Sequence, residues 1–207
     1  MRICIFGSGA VGSHFAVRLA LAGHEVSCVM RGPHLEATKA KGLTLRVGDA
    51  VFSARVTASD DPAALGPQDL VISTLKANAL DSLVTGLPPL LRDDTAIVFA
   101  QNGIPWWYDL RLPPDHPPPP DLAFLDPGGR LRAAVSKARI VGGVIFSANE
   151  IVAPGELDLG LEGAPLIITG GMVAVVVKAG LADGHAALVA GQRLELGEVG
   201  VVEPGRL

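Results

Sequence analysis

The sequence is short of most residue types that announce a specialised chemistry or location. It has only two cysteines, Cys4 and Cys28, both inside apolar runs and without CxxC spacing. That speaks against a disulfide framework and a zinc site, and predicts reduced core thiols. The five histidines, His14, His24, His34, His116 and His185, show neither metal-ligand spacing nor a nucleophile partner, so none is given a catalytic role and no metal is expected. Positive charge is not in excess: 17 Lys and Arg stand against 21 Asp and Glu, a net charge of -4. The chain therefore lacks the basic field that a phosphate backbone or an anionic membrane surface would attract, and nucleic acid is not an expected partner. Aromatic residues make up 4%.

Long apolar runs are also missing. The N-terminus runs through a five-residue strand-like stretch, Arg2 to Phe6, straight into glycines, without the apolar region and cleavage site of a signal peptide, so a cytoplasmic location is expected. The most apolar later stretch, "GGMVAVVVKAGLA", is interrupted by Lys178 and falls short of the roughly 20 residues that span a bilayer. What is abundant is apolar character in short pieces, 49% of residues against 18% charged, which points to a globular chain able to bury a sizeable core.

The opening stretch carries the strongest pattern. "RICIF" (Arg2 to Phe6) is a nearly continuous run of strand formers, as expected of a parallel strand covered on both faces. Val11, Phe15, Leu19 and Ala22 then recur at helical spacing, with Gly23 placed to end the helix, and "EVSCVM" (Glu25 to Met30) reads as a second strand. Between strand and helix stand Gly7, Ser8, Gly9, Ala10, Val11 and Gly12, a G-x-G-x-x-G turn in the context that gives this pattern meaning. Gly7 permits the tight turn, Gly9 lets backbone approach a pyrophosphate, and Gly12 lets the helix close on the strand. Amides at the helix start, aided by the helix dipole, face the negative charge.

The second strand ends in Met30 and Arg31, where folds that bind NAD usually carry a carboxylate for the ribose hydroxyls. A guanidinium here suits a 2′-phosphate, so the expected cofactor is NADP, the alternative being a solvated arginine in a loop with Gly32 and Pro33.

Further along, Leu43 to Leu45 and Phe52 to Val56 read as a hairpin, Pro62 to Gly66 as a helical turn, and "DLVISTLK" (Asp69 to Lys76) as a buried strand. "LDSLVTG" reads as a helix that Pro88 and Pro89 interrupt, and "TAIVFAQNG" (Thr95 to Gly103) as a strand. Leu110 to Gly129, with seven prolines, is expected to be irregular. "ARIVGGVIFSANEI" (Ala138 to Ile151) reads as one buried strand lengthening the same sheet, and Val152 to Leu157 as a turn. The fold class is therefore α/β, a doubly wound, mostly parallel sheet. Lys76 and Asn102 fall at the carboxyl ends of strands, where ligands of such sheets collect. Taken alone, Lys76 could be a solvated lysine and Asn102 a turn residue. Trp106 and Trp107 read more readily as packing anchors than as a stacking surface.

"GSGAVGSHFAVRLALAGHEVSCVMR", "STLKANAL", "FAQNGIPWWY" and "VGGVIFSANEIVAPGEL" stand in the order and at the spacing of ketopantoate reductases, and over residues 1 to 160 the chain resembles that family. The resemblance implies an NADP-binding Rossmann-like domain over 1–160, with Gly7, Gly9, Gly12 and Arg31 at the cofactor. It also implies Lys76 and Asn102 near the nicotinamide and substrate, and reduction of a 2-keto acid, 2-dehydropantoate, to pantoate. A homodimer is a further expectation.

After "APGEL" the chain departs from the family. The family's catalytic lysine stands in a K-x-x-x-N setting, but Lys178, the only lysine left, is followed by Ala179, Gly180, Leu181 and Ala182. Residues 161–207 are expected to be a divergent segment that cannot form the family's helical C-terminal domain, with a short helix after Asp183 and a strand at "QRLELGE" (Gln192 to Glu198). Three readings follow: a relative without activity that binds NADP only, an enzyme completed by another chain, or a reductase using Lys76 as its own acid. A different 2-keto acid is the alternative substrate.

Overall fold

The computed structural model describes residues 1–112, 115, 117, 121–145, 147–159, 166–170 and 173–177, with residue 111 and the last two segments through their backbone alone. The expected opening unit is present: β1 (Arg2–Phe6), α1 (Ala10–Leu21) and β2 (Glu25–Val29). Gly23 ends α1 at φ 86°. Its N–H donates to Ala20 O at 3.0 Å and that of His24 to Leu19 O at 3.1 Å, which is the paired bonding of a glycine-terminated helix.

The next element, α2 (Gly32–Lys41), was not expected. Gly32 and Pro33 suggest a loop, and only Leu35 and Thr38 are buried, so the helix shows almost no apolar periodicity. Pro33 lies in its first turn, where a missing N–H costs nothing. Then follow β3 (Leu43–Val47) and β4 (Ala50–Ala54), the expected hairpin, β5 (Thr57–Ser59), a helical turn at Pro62–Leu65, and β6 (Leu70–Ser73). Next come α3 (Ser82–Gly86), β7 (Ala96–Ala100), α4 (Arg130–Ala134) and β8 (Ile140–Gly143). The last described elements are β9 (Asn149–Ala153), β10 (Glu156–Leu159), β11 (Leu166–Gly170) and β12 (Val173–Val177).

Six strands form one sheet in the order β5-β2-β1-β6-β7-β8, with every neighbouring pair parallel. This is the doubly wound, Rossmann-like arrangement expected from the sequence: the chain moves outward from β1 to one side, then returns and continues from β6 to the other. Successive residues of β1 point to opposite faces and feed two cores. Ile3 and Ile5 join Phe15, Leu19 and Leu45, while Cys4 and Phe6 join Leu83, Phe99 and Trp106.

One expected element is corrected. Ala138 to Ile151 is not a single strand, because Ile140–Gly143 pairs with β7 in the main sheet whereas Asn149–Ala153 belongs to a second sheet of order β4-β3-β10-β9. The segment Val152 to Leu157 is likewise more than a turn. Pro154 and Gly155 make the turn, and β9 and β10 pair antiparallel on either side of it. The second sheet covers the side of α1 that faces away from the first. That is why α1 is buried without interruption from Gly12 to Leu19, including Ser13, His14 and Arg18.

Trp106 is 1% exposed and meets Phe99 edge-on at 5.6 Å, with Trp107 at 5.4 Å, so it is a packing anchor. Among the described residues no helix is long and apolar enough to cross a membrane. The expected helix after Asp183 and strand at Gln192 to Glu198 lie outside the described residues.

Candidate functional site

The glycine turn sits at the carboxyl end of β1, beside the point where strand order reverses between β1 and β6. Gly7 and Ser8 each donate a backbone hydrogen bond to Val29 O at 3.1 Å, which ties the turn to β2. Gly7 lies at φ 92°, and Thr74 at the end of β6 donates its hydroxyl to Gly7 O at 2.7 Å. A Cβ at Gly12 would stand 2.5 Å from Thr74 Oγ1 and 2.9 Å from Ile5 Cγ2, so bare backbone at this position allows α1 to close on β1 and β6. A Cβ at Gly9 would meet nothing nearer than Gly7 O at 3.9 Å. It would project into open space at the turn.

The first backbone bond of α1 runs from Ser13 N–H to Gly9 O at 2.8 Å. The amides of Ala10, Val11 and Gly12 precede it, Gly9 supplies no side-chain cap, and the first turn holds no acidic residue. Such a helix start favours an anion.

The turn opens on a cleft of about 900 Å³ whose walls include Gly7, Ser8, Gly9, Arg31, His34 and Asp60. Arg31 is exposed at the N-cap position of α2 and lines the same cleft as the glycine turn. Asp60, just beyond β5, adds a carboxylate to the same cleft. His34 is half-buried, and burial lowers its pKa. Its Nδ1 accepts from Gly155 N–H at 2.9 Å, and its Nε2 lies 3.0 Å from Ser13 Oγ.

The sequence-predicted residues thus divide. Gly7, Ser8, Gly9 and Arg31 line one cleft, with Ala10, Val11 and Gly12 in the helical turn directly behind them. Lys76 is exposed at the start of the turn Ala77–Ala79 and is not among the lining residues. Asn102 also stands apart: its Nδ2 donates to Ile145 O at 2.9 Å and its Oδ1 accepts from Ile145 N–H at 2.8 Å. Sequence reading missed His34, Asp60 and Thr74. Proline in a first helical turn after Arg31 was the available signal for His34.

Deep groups lie behind the cleft. His14 Nδ1–H donates to Asn149 Oδ1 at 2.8 Å. Burial, with the nearby Arg18 charge adding to it and the Asn149 bond opposing it, pushes its pKa down to about 4. Arg18 lies over the Phe52 ring at 4.2 Å. Both thiols, Cys4 and Cys28, are pushed up to about 12 by burial and are inert at neutral pH. No group of three or more metal-ligating side chains occurs among the described residues.

Fold and turn define the class: a doubly wound α/β protein with its glycine turn and cleft at the topological switch point. A family model for ketopantoate reductase PanE/ApbA matches residues 3–107. The 2-dehydropantoate 2-reductase of Mesorhizobium japonicum is 40% identical over 158 residues, covering 75% of this chain and 48% of that protein. A Ralstonia solanacearum protein assigned as a ketopantoate reductase superposes with a TM-score of 0.70 at 39% identity, over 78% of this chain and 50% of that one. The 2-dehydropantoate 2-reductase of Porphyromonas gingivalis follows at TM-score 0.61 and 28% identity, over 77% and 51%. The chain belongs to the ketopantoate reductase PanE/ApbA family, and its matches span between about a third and a half of the length of the curated relatives.

Proposed function

We propose that residues 1–160 form an NADP-binding unit, with 161–207 a separate C-terminal segment, and that the chain serves the NADPH-dependent reduction of 2-dehydropantoate, a 2-keto acid, to pantoate. The observation that carries this reading is the uncapped start of α1 beside Gly9. The first-turn amides of Ala10, Val11 and Gly12 follow a glycine whose Cβ would have entered open space, which suits a pyrophosphate. Arg31, on the rim of the same cleft, suits the 2′-phosphate. Bound NADPH would supply the hydride. Lys76 and Asn102, just beyond the carboxyl ends of β6 and β7, are the proposed polar partners of the substrate, and the Lys76 ammonium is the proposed proton donor to the ketone oxygen. The names of the relatives support the reaction and its substrate class.

A second reading, NADP binding without turnover, is favoured by a specific observation: both polar atoms of the Asn102 amide are engaged by Ile145 main chain, and Lys76 stands outside the cleft lining. The deciding experiment mixes the purified chain with NADPH and 2-dehydropantoate at near-stoichiometric enzyme and follows nicotinamide absorbance, with NADPH binding titrated beside it. Oxidation that depends on the keto acid supports the reductase. Binding without oxidation supports the second reading, and no binding defeats both.

A further inference from the structure

The hydrogen bonds around His34 have a fixed direction. Gly155 N–H is a donor only, so Nδ1 must carry a lone pair. In neutral imidazole the proton then sits on Nε2, which donates to Ser13 Oγ at 3.0 Å. Ser13 in turn donates its hydroxyl to Ser8 O at 3.1 Å. The result is a relay that begins in the β9–β10 turn, passes through α2 and ends on the carbonyl of Ser8, inside the glycine turn itself.

We infer that His34 is a positioning residue of the nucleotide cleft, an inference that rests on the dinucleotide reading above. In its neutral form His34 pins the β9–β10 turn and the start of α1 to the helix that carries Arg31. Gly155 is buried at φ 80°, and even a Cβ there would stand 3.2 Å from Lys41 Cε and 3.3 Å from Gly42 O, so little room is left for water to replace the imidazole as acceptor. Protonation puts an N–H on Nδ1 opposite the Gly155 N–H, two donors facing each other, and the pin opens.

The charged groups nearest in the fold are Arg31 at the same helix start, Asp60 in the same cleft, and Lys41, which is paired with Glu156 at 2.8 Å; burial is what sets the direction of the shift. Burial lowers the pKa of His34 below its ordinary 6.5. The pin is therefore complete above that pH and is lost as pH falls through the lowered pKa. Nucleotide affinity follows the same course.

Two readouts test this. The first is amide exchange of Gly155 in nucleotide-free protein, which reads the pin whether or not a nucleotide binds. At about pH 7.5, Gly155 exchanges slowly in the wild type and at least about tenfold faster in His34→Ala. The second is NADP+ affinity at about pH 7.5 and at stepwise lower pH. The wild type weakens on acidification, and His34→Ala is about tenfold weaker already at the higher pH. His34→Asn, which keeps an acceptor near the Nδ1 position but cannot be protonated, recovers most of the affinity and shows a flatter pH profile. Unchanged Gly155 exchange in His34→Ala overturns the pin. Faster exchange with unchanged NADP+ affinity overturns its coupling to the cleft, as does an acid response in His34→Asn equal to that of the wild type. A wild type that does not bind NADP+ overturns the dinucleotide reading, while Gly155 exchange still decides the pin.

Discussion

The amide of Asn102 grips the main chain of Ile145 at both ends, donating to its carbonyl at 2.9 Å and accepting from its N–H at 2.8 Å. The bracket ties the loop after β7 to the chain leaving β8, and it gives this asparagine a structural duty in addition to its proposed place near substrate. Asn102→Ala is expected to lower unfolding free energy by about 1 to 2 kcal/mol, since two net hydrogen bonds are lost at an exposed site. Urea denaturation measures it. Unchanged stability together with lost turnover would assign Asn102 to the substrate alone.

Lys76 makes the opposite case, with an exposed side chain outside the cleft lining. In Lys76→Ala, turnover of 2-dehydropantoate is expected to fall by about 10² to 10⁴, the usual cost of a missing general acid, while NADPH affinity stays within a few-fold. A collapse of affinity would place Lys76 in the cofactor site.

Cofactor preference should reside in Arg31. Arg31→Asp is expected to weaken NADPH by about 10- to 100-fold, the worth of charge-assisted bonds to a phosphate, and NADH much less. Equal losses for the two nucleotides, read by fluorescence titration, would remove the 2′-phosphate from Arg31. The carboxylate of Asp60 in the same cleft makes Asp60→Asn a companion that should favour NADPH.

Two glycines separate packing from binding. In Gly12→Ala the new methyl meets Thr74 Oγ1 at 2.5 Å and Ile5 Cγ2 at 2.9 Å, and overpacking of this kind costs about 1 to 3 kcal/mol. In Gly9→Ala it meets nothing within van der Waals contact apart from Gly7 O at 3.9 Å. Thermal unfolding should therefore shift in Gly12→Ala and hold in Gly9→Ala, whereas NADPH binding should suffer in both. A Gly9→Ala chain that binds normally would show that no ligand comes close to that backbone.

Acid should weaken the fold through His14. Its folded pKa, about 4, lies below its ordinary 6.5, so the folded state prefers the neutral form. The stabilisation is present in full above pH 6.5 and is lost as pH falls to about 4, with a total on the order of 3 kcal/mol. Chemical denaturation across that window should show a steeper loss in the wild type than in His14→Gln. Parallel curves would mean that His14 titrates normally.

The opening unit was legible because every local signal agreed: an unbroken apolar run, a glycine turn, a helical period and a terminal glycine all pointed to one strand, helix and strand. Helix α2 was not, since Leu35 and Thr38 alone are buried and its glycine and proline imitate a loop. The break between β8 and β9 was hidden for a related reason. Both halves are short and follow one another closely, and only pairing partners distant in sequence send Ile140–Gly143 to one sheet and Asn149–Ala153 to the other. In the site, the glycines and Arg31 were readable from spacing, but His34 acts through Gly155 and Ser13, contacts that no sequence window contains.

The parallel pairing of Thr44 with Glu156 and of Val47 with Leu159 has a kinetic meaning. The β3–β4 hairpin can zip locally within microseconds, yet its neighbour β10 arrives from near the end of the described chain, and closing so long a loop is slow. On a ribosome, the β3–β4 hairpin would cover part of the first helix early, and the rest of that flank would wait until the strands on either side of Gly155 had been synthesised. The nucleotide cleft would therefore mature late, and a chaperone or a protease would find its window in that delay.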